Sequence, residues 1–421
     1  MNEPKRKALL LSVHLKSKDL WSAEQSLLEL EALARTLEIE VVAKEMQSRD
    51  SPDPRTFVGQ GKLEEVKQII AEQKIDLVIF DHDLSPNQGK HLERALEMMV
   101  LDRTQLILEI FFDHAKTPEA KAQVEVAQLE YMLPRLVGMW AHLDREKGGI
   151  GASRGTGEKQ INIDRTLIRN RITKLEKILA QAQKDRGVQG KQRQNCFQVA
   201  LTGYTNAGKT TLMHQVSELE EVGEDKLFAT LESRTRKLPG FSHPELLLTD
   251  TVGFIQNLPH GLVASFRSTL SVVRDADLLL HVADASNPNL EQHLETTFKV
   301  LEEIGADQVP QLLVFNKADL VEDPSRLVWL KSRYPGCLTV SSFSKEDLAG
   351  LLERVKEHFA KNYISQEVLI PYAFSKWVNR YFELTEVLSQ SFEEEGVRLS
   401  YKTTYGNQQI LDALIRQKEV S

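Results

Sequence analysis

The chain has 421 residues, which at ~150 residues per domain suggests about three domains and real buried cores. Apolar residues make up 41% and charged residues 27%, a balance that excludes a disordered chain and fits a soluble globular one. The net charge of −8 excludes nucleic-acid binding driven by overall charge. No stretch reaches the ~18 uncharged apolar residues of a membrane span, and the first residues lack the long apolar core of a signal peptide. Cys196 and Cys337 lie far apart in strand-like segments and read as reduced thiols. The expectation is a monomeric, cytoplasmic protein.

Residues 1–115 alternate between strand and helix. Ala8–His14 is an apolar run, and Leu27, Leu28, Leu30 and Leu33 follow with helical spacing. Glu40–Ala43 reads as a strand, Leu63–Glu72 as a helix, Asp76–Phe80 as a strand, Gly89–Met99 as a helix and Gln105–Phe111 as a strand. Strands spaced by helices imply βαβ units and a mainly parallel sheet.

Residues 116–190 change character. Val126, Leu129, Leu133, Leu136, Trp140 and Leu143 form one heptad seam, and Ile168, Ile172, Leu175, Leu179 and Ala182 form a second. Gly148–Gly157 lies between them, and its glycines lose too much backbone entropy to be helical. An antiparallel helical hairpin with a glycine-rich tip follows, in which Pro134 should kink or split the first helix. From Asp144 to Asn195 the chain carries 13 Lys/Arg and 6 Asp/Glu, a net of +7. Such a basic segment in an acidic protein is either a footprint for phosphate or a solvated helix face. Gly187–Asn195 is polar and aperiodic and reads as a linker.

Residues 191–362 alternate again, with strands expected at Phe197–Thr202, Leu246–Thr249, Leu278–Ala283, Gln311–Phe315 and Leu338–Val340. Beyond 362, a strand at Glu367–Ile370, a helix at Lys376–Phe392 and a strand at Arg398–Thr404 suggest a small α+β domain, residues 363–421. The expected fold class is α/β: a central P-loop domain, an N-terminal α/β domain bearing the hairpin, and this tail.

The strand FQVALT runs into Gly203-Tyr204-Thr205-Asn206-Ala207-Gly208-Lys209-Thr210, the pattern G-x-x-x-x-G-K-[ST]. Its glycines let backbone N–H groups curl around nucleotide phosphates, and the helix that follows points its positive end at the anion. Lys209 should neutralise the β- and γ-phosphates. The Thr210 hydroxyl should ligate Mg²⁺, which prefers hard oxygen donors. Asn316-Lys317-Ala318-Asp319 follows the strand QLLVF. The Asp319 carboxylate can accept from guanine N1–H and the 2-amino group, which adenine lacks. Such charge-assisted bonds are worth ~1.5–3 kcal/mol each. Asp250-Thr251-Val252-Gly253 follows LLLT: Asp250 should hold Mg²⁺ through water, and the Gly253 N–H should sense the γ-phosphate. Ser341-Ser342-Phe343 fits the loop that contacts guanine O6.

No catalytic side chain is evident. Many related switches place a Gln after DTVG to orient the attacking water, but Phe254 stands here and cannot. Hydrolysis should be slow alone and accelerated by a partner. Between P-loop and DTVG a threonine should close over Mg²⁺. In Phe228-Ala229-Thr230-Leu231-Glu232-Ser233-Arg234-Thr235, both Thr230 and Thr235 qualify.

These motifs resemble the HflX family of translational GTPases over nearly the whole chain. The family's GYTNAGK[ST], LFATL, DTVGF and NK-D are all present. So are V-G-x-G-K (Val58–Lys62), FDH-LSP-Q (Phe80–Gln88), DRT-LIL-IF (Asp102–Phe111), Q-E-AQLEY-LPRL (Gln123–Leu136) and GGIG-RG-GE-Q (Gly148–Gln160). The resemblance implies a GTPase that binds GTP/GDP with Mg²⁺ and engages the large ribosomal subunit. Its glycine tip would reach ribosomal RNA near the peptidyl-transferase centre, with Gly149, Arg154, Gly155 and Lys159 among the contacts. The task implied is splitting or rescue of stalled ribosomes under stress. LFATL selects Thr230 as the Mg²⁺ ligand, with Phe228, Ala229, Leu231 and Glu232 around the nucleotide. Two departures stand out. Glu232-Ser233-Arg234 replaces the usual D-P-T, and Ala152-Ser153 lengthens the loop before Arg154. Other readings are a non-ribosomal signalling switch whose hairpin docks a protein, and an RNA remodeller that binds a second nucleotide at Val58–Lys62. A surface turn is the plainer reading of that short segment.

Overall fold

A computed structural model describes the chain except for residues 1–4, 18, 137–154, 193–195, 218–226, 229, 232, 242–243, 257–266 and 417–421. The chain divides into two compact units. One comprises Met1–Gln183, Asp225–Leu231 and Asn257–Arg267; the other comprises Lys184–Glu224, Glu232–Gln256 and Ser268–Ser421.

The first unit is built on a four-stranded parallel sheet in the order β2-β1-β3-β4, with β1 Lys7–Leu15, β2 Glu40–Arg49, β3 Leu77–Phe80 and β4 Val100–Asp102. The helices α1 (Leu20–Thr36), α2 (Gln60–Gln73), α3 (Pro86–Leu96) and α4 (Arg103–His114) follow its strands. Buried apolar runs make β1 and β3 interior strands, as parallel sheets covered on both faces require. The expected strand Gln105–Phe111 is instead part of α4. The Asp102 carboxylate accepts from Gln105 N at 2.9 Å and caps that helix. Leu106, Ile107, Leu108, Ile110 and Phe111 are all buried, and burial on most sides erases the period that separates helix from strand. Inside this unit the guanidinium of Arg103, 1% exposed, is held by Asp81 and Glu29.

Two further helices, α5 (Pro118–Met132) and α6 (Gly155–Gln192), share a small core of Ala122, Val126 and Leu175 with Leu129, Ile172 and Leu179 against it. All but Ala122 are residues of the two heptad seams. Helix α5 ends at Met132, two residues before Pro134, so the proline falls beyond the helix end. Two expectations fail in α6. Gly155 and Gly157 lie inside the helix, in its first turn, where N–H groups lack intrahelical partners anyway. Gly187–Gln192 continues the helix and is no linker, because its Gln, Lys and Arg neighbours favour helix enough to carry two glycines. Most of the expected tip, including Gly149 and Arg154, lies outside the described residues.

In the second unit a six-stranded sheet runs β10-β9-β8-β5-β7-β6. The strands are β5 Cys196–Thr202, β6 Arg234–Lys237, β7 Glu245–Asp250, β8 Leu278–Asp284, β9 Gln311–Asn316 and β10 Leu338–Thr339. All neighbours pair in parallel except β6, which runs antiparallel to β7. Around the sheet are α7 (Lys209–Val216), α8 (Arg267–Arg274), α9 (Leu290–Glu303), α10 (Pro324–Arg333) and α11 (Lys345–Ala360). Val199, Leu201, Leu212, Leu246, Leu280, Val314, Val355 and Phe359 form the main core. Strand β5 lies between β7 and β8, so the loop leaving its carboxyl end opens at the point where ligands bind in such sheets.

The tail forms a three-stranded antiparallel sheet, β11 (Tyr363–Pro371), β13 (Gly396–Thr404) and β12 (Glu386–Phe392), with α12 (Lys376–Leu384) and α13 (Tyr405–Arg416). The helix expected to reach Phe392 stops at Leu384, and Glu386–Phe392 is an edge strand with mostly exposed side chains. Antiparallel pairing to β13, which follows after a three-residue turn at 393–395, overrides its local pattern. Among the described residues, no helix is long and apolar enough to cross a membrane. Cys196 and Cys337 are both half-buried thiols outside any disulfide.

Candidate functional site

Strand β5 delivers the chain to Gly203, whose φ of 141° lies outside the range most side chains tolerate. A Cβ there would stand 2.0 Å from the carbonyl oxygen of Val282 on β8. Asn206 and Gly208 also take positive φ, 58° and 88°, and the loop closes as α7 begins at Lys209. The backbone therefore curls around a space at the amino end of a helix, the arrangement that receives phosphate. Lys209 is buried, and its Nζ donates to the carbonyl oxygens of Gly203 at 3.1 Å and Tyr204 at 2.8 Å. Burial pushes its ammonium down to about 8, against the attraction of Asp250. The lysine crosses the mouth of its own loop, ready for an anion to claim.

Asp250 ends β7 and is fully buried, and the Thr210 hydroxyl donates to its Oδ2 at 2.7 Å. The structure brings together these two residues, both expected beside Mg²⁺. Thr251 donates its hydroxyl to Leu201 O at 2.6 Å, and Val252 is buried. Gly253 lies so close to the loop that a Cβ would meet Thr205 Cα at 2.7 Å and Lys209 Nζ at 2.9 Å. Thr205 N donates to Phe254 O at 2.7 Å, and Phe254 N donates to Gly203 O at 3.1 Å. The DTVGF segment is thus zipped to the phosphate loop by its backbone, a pairing no spacing rule announced. The side chain of Phe254 is 1% exposed and turned into the interior.

The base-reading segment sits at the carboxyl end of β9. Asn316 donates from Nδ2 to Ala207 O at 3.1 Å and accepts at Oδ1 from Ser342 Oγ at 2.8 Å. One buried amide therefore ties the phosphate loop to both base-side loops. Lys317, at φ 58°, pairs with Asp284 at 2.8 Å, and Ala318 N donates to Val340 O at 3.1 Å. Asp319 is exposed in a short 3-10 turn, Ala318–Leu320, its carboxylate open to a base. Ser341 N donates to Asp347 at 2.8 Å, Ser342 is buried and Phe343 is 66% exposed. Sequence reasoning missed Asp284 and Asp347. Asp284 lies at a strand's carboxyl end, where it could have been suspected; Asp347 carries no such signal.

Phe228, Thr230 and Leu231 belong to the first compact unit, where the Phe228 ring meets Phe111 of α4 edge-on at 4.7 Å. Thr230 is half-buried, and Ala229 and Glu232 lie outside the described residues. Thr235, the other candidate, is in β6 with its hydroxyl 2.9 Å from that of Thr249. Gly155 begins α6, and Lys159 lies in its second turn. Of the basic residues further along α6, Arg171 is committed to Glu125 at 2.6 and 2.8 Å, while Arg169 is exposed. At Val58–Lys62, Gly59 is the residue before α2 and Lys62 pairs with Glu45 and Glu65, both at 2.7 Å. The segment is a helix start with Val58 buried rather than the surface turn expected, and its lysine is already paired with two carboxylates.

A glycine-rich loop closing on a helix end, a buried lysine across it, a hydroxyl and carboxylate side by side and an exposed base-side carboxylate define a P-loop GTPase. Comparison with known proteins agrees. The chain matches the family descriptions GTP-binding GTPase N-terminal over residues 24–112, GTP-binding GTPase Middle Region over 114–193 and 50S ribosome-binding GTPase over 198–317. The GTPase HflX of Caldanaerobacter subterraneus subsp. tengcongensis is 40% identical over 95% of this chain and 91% of its own. The GTPase HflX of Escherichia coli is 39% identical over 88% of each chain. A GTP-binding protein of Sulfolobus solfataricus, solved with GDP, is 24% identical and covers 85% of this chain and 99% of its own, with a TM-score of 0.44. The chain belongs to the HflX family of GTPases.

Proposed function

We propose that this GTPase binds the large ribosomal subunit in its GTP state and uses hydrolysis to time its release, splitting or rescuing stalled ribosomes in the cytoplasm under stress. The observation that carries the reading is the match of residues 198–317 to a 50S ribosome-binding GTPase, on a chain whose nucleotide loop has the required geometry. The basic stretch between α5 and the end of α6 supports it, because RNA is gripped through phosphate and shape with few base-specific side chains. Gly149, Arg154, Gly155 and Lys159 are the proposed RNA contacts.

Mg²⁺ fits the donors present. Thr210 Oγ1 and Asp250 Oδ2, 2.7 Å apart, are hard oxygens beside the phosphate cradle, the set that holds this ion together with phosphate oxygens and water. In this reading Thr210 and Thr230 ligate the ion and Asp250 acts through water. The ion would neutralise charge on the transferring phosphate. The protein positions the triphosphate with Lys209 and the loop N–H groups, and Asp319 selects guanine over adenine. Phe254 cannot orient water, so the chain alone hydrolyses slowly, and a bound ribosome supplies the missing groups, worth ~10³–10⁵ in rate.

The test is sedimentation with purified subunits, with GDP or a non-hydrolysable GTP analogue. Triphosphate-dependent migration with the large subunit, lost on deleting residues 148–157, supports the reading. No association in any nucleotide state overturns it.

A further inference from the structure

The phosphate loop carries an aromatic ring that nucleotide binding does not explain. Tyr204, 5% exposed, lies flat against the imidazole of His293 from α9, with centroids 3.7 Å apart and planes at 1°. Its hydroxyl accepts from Gln256 N at 2.8 Å. Gln256 follows Phe254, whose own backbone is paired to Gly203 and Thr205. The ring is therefore clamped between a helix on one side and the segment that carries Gly253 on the other. Besides the Thr210–Asp250 side-chain bond, three hydrogen bonds hold the Phe254–Gln256 end of DTVGFIQ to the phosphate loop, and two of these are backbone bonds that any sequence could make. The third depends on where the Tyr204 ring points, and His293 sets that.

We propose that His293 is a positioning residue for GTP hydrolysis: by stacking on Tyr204 it fixes the register of the Asp250–Gln256 segment against the phosphate loop. It lies outside the loops assigned to nucleotide and metal and stacks on Tyr204. Its effect passes through Tyr204 to Gln256, and so to the Gly253 N–H that meets the γ-phosphate. A flat aromatic pair gives orientation beyond simple burial, and small misplacement at a reacting phosphate has large kinetic cost. Burial holds the imidazole neutral down to about 4, with Asp284 opposing, so the stack keeps one charge state at physiological pH. The inference rests on the GTPase reaction alone and not on ribosome binding. It is tested without ribosomes.

Single-turnover GTP hydrolysis and GDP affinity are measured on the full chain for His293→Ala, His293→Phe and Tyr204→Phe. His293→Ala, which removes the plane, should slow hydrolysis about tenfold while GDP affinity stays within about threefold. His293→Phe restores a flat ring and should bring the rate back to within about threefold of the original. Tyr204→Phe keeps the stack but removes the acceptor for Gln256, and should slow hydrolysis without weakening GDP. An unchanged rate in His293→Ala overturns the proposal, as does a phenylalanine variant as slow as the alanine one. A parallel loss of rate and GDP affinity in His293→Ala also overturns it, because that reports a collapsed loop. If His293→Ala fails to fold, Tyr204→Phe decides: full activity there contradicts the proposed linkage.

Discussion

Two lysines follow a glycine in the first turn of a helix, and one of them belongs to the nucleotide site. Lys209 opens α7 from a loop of positive-φ residues and rests on carbonyl oxygens. Lys62 lies in the first turn of α2 and is held by two carboxylates. The glycines differ in the same way. Gly203 is pressed against β8, whereas a Cβ at Gly61 would meet nothing within 4 Å. A phosphate site thus needs more than the letters G-x-G-K. The backbone must be forced into a concave turn, and the cation must not be tied up in an ion pair of its own. Arg103, sealed between Asp81 and Glu29, shows the opposite outcome: a buried cation fully spent on structure.

The contrast can be broken most strongly at the lysines. Lys209→Ala should weaken GTP and GDP binding by at least about 100-fold, since a buried charge-assisted contact to phosphate is lost. Lys62→Ala should leave nucleotide affinity within about twofold, because Lys62 is committed to Glu45 and Glu65 outside the nucleotide site. Titration with a fluorescent guanine nucleotide checks both, and equal losses at the two sites would erase the distinction.

The glycines give the next effect. Gly203→Ala should destabilise the nucleotide-free protein by about 2–4 kcal/mol, combining a strained φ with a clash on backbone. Gly61→Ala should shift stability by no more than about 1 kcal/mol, and upward, since alanine suits a helix better. Urea melts of the two variants compare them directly.

A smaller effect comes from imidazoles near the site. Burial and the neighbouring Lys209 push His281 down to about 3, and burial pushes His293 down to about 4. Both stay neutral in the fold but take protons when unfolded below about pH 6.5. Their share of stability is complete above that pH and is lost as the pH falls toward 4, on the order of a few kcal/mol in all. The urea midpoint should drop from pH 7.5 to pH 5, and His281→Gln should shrink the drop. A midpoint independent of pH would contradict neutral burial.

Much of the nucleotide site was legible because each motif is local. The P-loop, DTVG and NKAD segments lie at carboxyl ends of strands that their own apolar runs reveal. What the sequence hid is long-range. Asn316 bonding Ala207, Gln256 bonding Tyr204 and His293 stacking on Tyr204 join residues tens of positions apart or more. The elements read wrongly fail because burial and strand pairing override the local pattern. Gln105–Phe111 looks like a strand because neighbours bury it on most sides, and Glu386–Phe392 looks helical until β13 pairs with it. Strand β6, with its short polar run RTRK, carries no apolar signal and is made by pairing with β7.

The account turns on the claim that a carboxylate chooses the purine for a triphosphate held at a helix end. Affinities of GTP, ATP and xanthosine triphosphate, with Mg²⁺, for the original chain and for Asp319→Asn measure it directly. The original should favour GTP over both others, and the variant should transfer that preference to xanthosine triphosphate, whose 2-oxo group accepts from an amide. GTP preference surviving intact in Asp319→Asn would contradict the assignment.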